Sequence, residues 1–191
     1  MKIYLASQSP RRRTLLEQMG IDFEVLAVDT PEVVQPGETA EAYSLRVTQE
    51  KLVAAKDKLL QENLPKRPIL CADTEVVLDE VILGKPQDEQ EAYQMLHKLS
   101  NRRHRVITSV GLQYKNYQDL RTNTTWVTFG NIPEEALIYY LKTKNYIGKS
   151  GGYGIQSYIG QFISHIDGCF YSVMGLPLYT VRELITDLVK L

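Results

Sequence analysis

Within seven residues, Ser7-Gln8-Ser9-Pro10-Arg11-Arg12-Arg13 gathers two hydroxyls and three guanidinium groups where a short apolar run, residues 3–6, gives way to a helix. Ser9 suits an N-cap, Pro10 suits the first helical position, and Gly20 closes the segment. Cations in a first helical turn add to the partial positive charge already there. An anion lying between them removes the conflict. Free backbone N–H groups, hydroxyls and guanidinium forks make a phosphate receptor. Arg11 and Arg12 are adjacent and so project about 100° apart around the helix, positioned for different oxygens of a polyphosphate. Arg13 points further round, toward the surface.

Phosphate chemistry also calls for a carboxylate. Asp73-Thr74 follows the continuously apolar run Pro68-Ile69-Leu70-Cys71-Ala72 and is expected at the C-terminal end of a buried strand, where α/β folds place ligand sites. Asp73 is a candidate to hold a divalent cation or to orient an attacking water. Lys85 sits in the restrained tripeptide Gly84-Lys85-Pro86. Lys51, inside a long helix, and Glu32, in a turn-rich loop, read as surface residues by type alone. In Gly151-Gly152-Tyr153-Gly154-Ile155-Gln156 the glycines permit close approach to a flat ligand. There Tyr153 is a candidate to stack on a base and Gln156 to read one through its amide; a structural turn is the alternative. Arg102-Arg103-His104-Arg105 reads mainly as a solvated turn.

The elements that must hold these groups follow from periodicity. Strands are expected over residues 3–6 and 22–27, and a loop over 28–38. A long helix over about 39–62 would face the core through Ala42, Leu45, Leu52, Ala55 and Leu59. Residues 75–78 and 81–83 form a hairpin around Asp79-Glu80. Asp88 and Glu91 make a capping box for a helix to Leu99. Two long strands, 103–115 and 120–130, flank a turn at 116–119, and Pro133 opens a helix to about residue 144. A last hairpin is expected between 159–166 and 169–173, turning at Asp167-Gly168, before a C-terminal helix after Pro177. Intermingled strands and helices indicate an α/β fold with a mixed sheet.

Composition narrows the function classes. The 191 residues carry a formal net charge of −1, so no overall field recruits nucleic acid or an anionic membrane. No apolar run reaches the length of a membrane span, and Gln8 and the arginines interrupt any signal-peptide core. Cys71 and Cys169 lack framework spacing, which points to free thiols in a cytoplasmic protein. His97, His104 and His165 lack zinc spacing.

Six segments together resemble the Maf family of nucleoside triphosphate pyrophosphatases. They are Leu5-Ala6-Ser7-Gln8-Ser9-Pro10-Arg11-Arg12, Glu50-Lys51, Ala72-Asp73-Thr74, Gly84-Lys85-Pro86, Ser150 to Gln156, and Val173-Met174-Gly175-Leu176-Pro177. The resemblance implies one domain over 1–191, built on a long bent mixed sheet flanked by helices, with two lobes around a central cleft. It implies hydrolysis of dTTP and UTP to the monophosphate and pyrophosphate, a divalent metal (Mg2+ or Mn2+), and a cytoplasmic homodimer. By the same resemblance Ser7, Arg11, Arg12, Lys51 and Lys85 hold the triphosphate. Asp73 is proton acceptor or metal ligand, Glu32 a metal-side acid, and Thr74 and Gln156 line the nucleotide site. Ala72-Asp73-Thr74 resembles the dTTP/UTP branch; the 7-methyl-GTP branch tends to carry Ser-Asp-Gln there. A nucleotide-binding regulator of septum formation is the non-enzymatic alternative. Gly148, Ser150 and Ser157 depart from the usual family residues.

Overall fold

Ile3-Tyr4-Leu5 is buried on both faces and forms β1 (Ile3–Leu5), the parallel neighbour of both β2 (Phe23–Val25) and β3 (Ile69–Leu78). The computed structural model describes residues 1–190. Its remaining strands are β4 (Val81–Ile82), β5 (Arg103–Tyr114), β6 (Tyr117–Phe129) and β7 (Ile163–Asp167). The seven strands make one mixed sheet in the order β2-β1-β3-β5-β6-β7, with β4 paired to β3. The helices are α1 (Pro10–Gln18), α2 (Ala40–Gln61), α3 (Glu89–Leu99), α4 (Glu134–Lys142), α5 (Phe170–Val173) and α6 (Leu178–Val189). No helix among the described residues is long and apolar enough to cross a membrane.

The course of β3 decides the architecture. β1 stops at Leu5, opposite Leu70, whereas β3 stays paired with β5 from Ile69 to Val77. Asp73 therefore lies in mid-strand, not at the strand end expected from its sequence. The apolar run ends at Ala72, but ladder bonding to β5 carries the strand through the polar residues. What ends there is the parallel neighbour, and the exposed edge of β3 opens a cleft.

The core divides at the same place. On one face of β3, Leu70 and Ala72 join Leu15, Leu16, Val181 and Leu184 of α1 and α6. Beyond Thr74, Val76 and Leu78 join Leu96, Leu99, Leu137 and Tyr140 of α3 and α4. On the other face Ile69 and Cys71 pack with Leu52, Ala55 and Leu59 of α2, and Asp73 and Glu75 follow. Each large buried aliphatic side chain stabilises the fold by about 1.5–3 kcal/mol relative to exposure. The polar stretch 73–75 thus separates two lobes that share β3, β5 and β6.

Several local expectations shift. Thr39 caps α2 through Ala42 N at 3.2 Å, but Ala42 and Leu45 are exposed. The buried stripe runs through Tyr43, Ser44, Val47 and Thr48 into Leu52. Small polar side chains suit this stripe because α2 lies close to the sheet: a Cβ on Gly111 would come within 2.7 Å of Leu52. Thr48 donates back to the Ser44 carbonyl at 2.8 Å, which satisfies its hydroxyl without water. The β5–β6 turn is Lys115-Asn116, shorter than expected, with Lys115 at φ +53° and Tyr114 opposite Tyr117. The expected hairpin after β7 does not form, since residues 170–173 are the helix α5. Thr125 of β6 accepts the Cys169 N–H at 3.0 Å, and Gly168, at φ +131°, fits against that threonine. The chain is drawn across β6 instead of along β7. Asp88 caps α3 as expected through Glu91 N at 2.8 Å.

Candidate active site

A cleft of about 690 Å³ lies along the open edge of β3. One wall is the Ser7–Arg12 segment with residues 28–32; the other carries Lys85 and residues 147–156. Every sequence-predicted site residue lines it: Ser7, Arg11, Arg12, Glu32, Lys51, Asp73, Thr74, Lys85 and Gln156.

Arg12 is the centrepiece of the first wall. Its Nε donates to the Gly175 carbonyl at 2.8 Å, Nη1 to Ser7 Oγ at 3.2 Å and Nη2 to Thr74 Oγ1 at 3.1 Å. Thr108 Oγ1, which donates to the Ser172 carbonyl at 2.8 Å, stands 3.0 Å from Thr74 Oγ1. Gly175 has φ +104°, and a Cβ there would meet Thr74 Oγ1 at 3.4 Å. Its partners are all neutral oxygens, and burial lowers the Arg12 pKa against the pull of Asp73 and Glu32. α1 presents this side chain without side-chain capping, because Ser9 makes no such bond and its N–H donates instead to Ser7 Oγ at 3.2 Å. Leu15 and Leu16, buried under the sheet, hold the helix in place.

Arg11 also reaches the cleft, where burial and then Arg12 lower its pKa. Arg13 turns away and donates to the Gln8 carbonyl at 2.9 Å.

Acids and lysines meet deeper in. Lys51 Nζ lies 2.6 Å from Asp73 Oδ1 and 2.6 Å from Glu32 Oε1, and the other Glu32 oxygen pairs with Lys85. Burial works against the charge of Lys51, but Asp73 and Glu32 outweigh it and raise its pKa. Glu32 experiences the same contest: burial raises its pKa, while Lys51 and Lys85 prevail and hold its carboxyl down at about 2. Asp73 is only 3% exposed, and its Oδ2 has no hydrogen-bond partner among the described residues. Lys51 and Glu32, which resemble surface residues by type, are thus brought together by α2 and the 28–38 loop around one carboxylate.

Behind the cleft lies Glu75, absent from the sequence reading. It is buried, and burial first and Asp73 second push its carboxyl well above the usual carboxylate range. Ser150 Oγ donates to Glu75 Oε2 at 3.0 Å and accepts the Val76 N–H at 2.9 Å. One serine therefore fastens the glycine-rich segment to the free edge of β3. Gly151, at φ +68°, completes the attachment, because a Cβ there would lie 2.8 Å from Val76.

One sequence expectation is corrected in this wall. Tyr153 does not offer a ring for stacking: it is 5% exposed, its hydroxyl lies 2.6 Å from His104 Nε2, and its ring packs edge-on against Phe129. An aromatic beside glycines gives no sign, in sequence, of the buried histidine that engages it. Arg102, Arg103 and Arg105 pair with Asp79, Asp167, Glu41 and Glu80 outside the cleft. Gln156, by contrast, is exposed within it. Lys149, passed over by the sequence reading as well, enters the cleft beside Gln156; burial and then Arg11 lower its pKa to about 8.

Comparison with known proteins agrees with this geometry. A family model described as Maf-like protein matches residues 2–188. A Chromobacterium violaceum protein named dTTP/UTP pyrophosphatase is 40% identical over 186 residues, covering 97% of this chain and 94% of its own length. A Photobacterium profundum protein of the same name is 40% identical over 193 residues, covering 100% and 98%. One from Nitrosomonas europaea is 42% identical over 193 residues, covering 97% and 93%.

Proposed function

The chain belongs to the Maf-like protein family, and from that premise we propose that it is a nucleoside triphosphate pyrophosphatase converting dTTP and UTP to monophosphate and pyrophosphate. Residues 1–191 act in this reading as one catalytic domain. The observation that carries it is the carboxylate of Asp73, held by Lys51 on one oxygen and unpartnered on the other, facing a cleft lined by arginines.

Cleavage of a phosphoanhydride builds charge on bridging and equatorial oxygens. Fixed cations stabilise that charge without covalent chemistry. Here Arg11, Arg12 and Ser7 grip the phosphates from one wall, and Lys51 and Lys85 from the other. Arg12 is immobilised by its three neutral partners before substrate arrives, so little reorganisation accompanies catalysis. Asp73 takes the proton of the attacking water. Lys51 holds and orients the carboxylate for that task. Thr74, anchored by Arg12 and Thr108, and Gln156 face the nucleoside.

The same residues fit a hard divalent cation such as Mg2+ or Mn2+. Asp73 and Glu32 offer carboxylate oxygen, the preferred donor, and the buried Asp73 Oδ2 is unpartnered. Bound there, the ion would supply Lewis-acid charge neutralisation at the phosphates. The test is pyrophosphate release across canonical and modified triphosphates with either metal. Turnover concentrated on dTTP and UTP is expected; release confined to 7-methyl-GTP, or binding without release, overturns the reading.

A further inference from the structure

The cations of the cleft differ in what neutralises them. Lys51 and Lys85 both face carboxylates. Arg12 bonds only neutral oxygens, and Lys149 Nζ reaches only the Asn145 carbonyl. Arg11 has no side-chain hydrogen-bonding or ion-pairing partner among the described residues, and it lines the cleft. Cations without a carboxylate partner therefore stand on both walls, Arg11 and Arg12 on one and Lys149 on the other. Arg12, Arg11 and Lys149 line the same cleft, and burial first and the neighbouring cation second lower the pKa of Arg11 (through Arg12) and of Lys149 (through Arg11). Lys149 comes from the opposite lobe. Its side chain and that of Gln156 both flank Gly154, where an added Cβ would lie 3.1 Å from Lys149 Cε and 3.2 Å from Gln156 Oε1.

We propose that Lys149 and Arg11 together form an anion subsite for the polyphosphate, so that the phosphates pass between the two walls of the cleft and bridge the two lobes. The proposal rests on the pyrophosphatase reading and extends it with a residue which that reading leaves without a role. A phosphate between two mutually repelling cations gains charge-assisted hydrogen bonds from both and removes their repulsion. Lys51 and Lys85, paired with Asp73 and Glu32, then hold the phosphates where the water and metal lie. The adjacency of Lys149 to Gln156 at Gly154 sets this subsite beside the nucleoside end of the cleft, as a continuous nucleotide requires.

Binding of inorganic tripolyphosphate, which has no sugar or base, tests the subsite by calorimetry without turnover. Wild-type protein is expected to bind it. Lys149→Met should weaken that binding about tenfold or more, and Lys149→Arg should restore most of it. The Lys149→Met loss should shrink in an Arg11→Met background, since the pair acts on one anion. Thermal melts of each variant confirm folding, and Lys149→Gln serves as the second neutral variant should Lys149→Met fail to fold. Unchanged tripolyphosphate affinity in a folded neutral variant overturns the proposal, as does a wild-type protein that does not bind tripolyphosphate. So does a defect confined to discrimination between dTTP and dCTP, which would place Lys149 on the base. Tripolyphosphate binding with the expected Lys149 dependence, in a protein that releases no pyrophosphate from any triphosphate, would overturn the enzymatic reading and leave the subsite standing.

Discussion

At the scale of single residues, the proposed function assigns gripping and reacting to different side chains. Asp73→Asn keeps the shape of the side chain and leaves Lys51 paired with Glu32. Pyrophosphate release should fall by about a thousandfold while nucleotide binding persists. Wild-type turnover in that variant would exclude Asp73 from the chemistry. Arg12→Ala removes a guanidinium bonded to Gly175, Ser7 and Thr74, so both turnover and affinity should fall. The melting temperature should also drop by several degrees, because Thr74 and the Gly175 carbonyl lose a buried partner. Kinetics alone would separate a phosphate grip from a purely structural bond. The opening arginines were legible in the sequence because their charge conflicts with the helix dipole, and only a ligand resolves that conflict. Lys51, Glu32 and Lys149 carried no such signal. Each looks like an ordinary surface residue until the fold turns it inward, and its partners lie 19 or more residues away in the case of Lys51.

Elements set the precision of the site, and here the glycine-rich segment matters most. It touches β3 through Ser150 and through the space left by Gly151, and it carries Lys149 and Gln156 into the cleft. Gly151→Ala would press a methyl group onto Val76 at a left-handed backbone position. A loss of about 1–3 kcal/mol is expected in chemical unfolding, together with a higher KM. Ser150→Ala should raise KM less, since it removes hydrogen bonds without a clash. Element types were mostly readable from apolar periodicity and caps, as Thr39 before α2 and Asp88 before α3 illustrate. The misread elements share a cause. Residues 169–173 look like a strand, but side-chain bonds from Thr125 and the Gly168 conformation bend them into α5. The stripe of α2 is read correctly at Leu52, Ala55 and Leu59 but out of phase at Ala42 and Leu45, because Ser44 and Thr48 are buried as small neighbours of the sheet, a requirement of close packing and not of hydropathy.

For the molecule as a whole, the two lobes differ in how their cores respond to acid. His104 is 1% exposed in the second lobe, stacked on Phe129 and bonded to Tyr153, and burial lowers its pKa from 6.5 to about 4. The unfolded chain binds that proton more readily than the folded one. Stability from the neutral ring is therefore complete above pH 6.5 and is lost as pH falls toward 4, by up to about 3 kcal/mol. Urea unfolding midpoints measured between pH 7 and pH 4 should follow this slope. His104→Gln should start less stable at pH 7 and lack that component of the slope; an unchanged slope would remove the histidine from the account.

The strands β3, β5 and β6 run through both lobes without interruption, and the Asp73 carboxylate sits on one of them. An enzyme whose lobes are joined by a flexible connector can lose its site by local fraying while its domains persist. No such cheap opening exists here, because exposing the amides around Asp73 means breaking the ladder that holds both cores. Hydrogen exchange at Cys71, Asp73 and Glu75, whose amides face β5, is thus expected to follow global unfolding, and heat inactivation to coincide with melting. Nucleotide binding would then protect the entire chain as one cooperative unit, and the occupied cleft would act as a report on the folded state of the molecule.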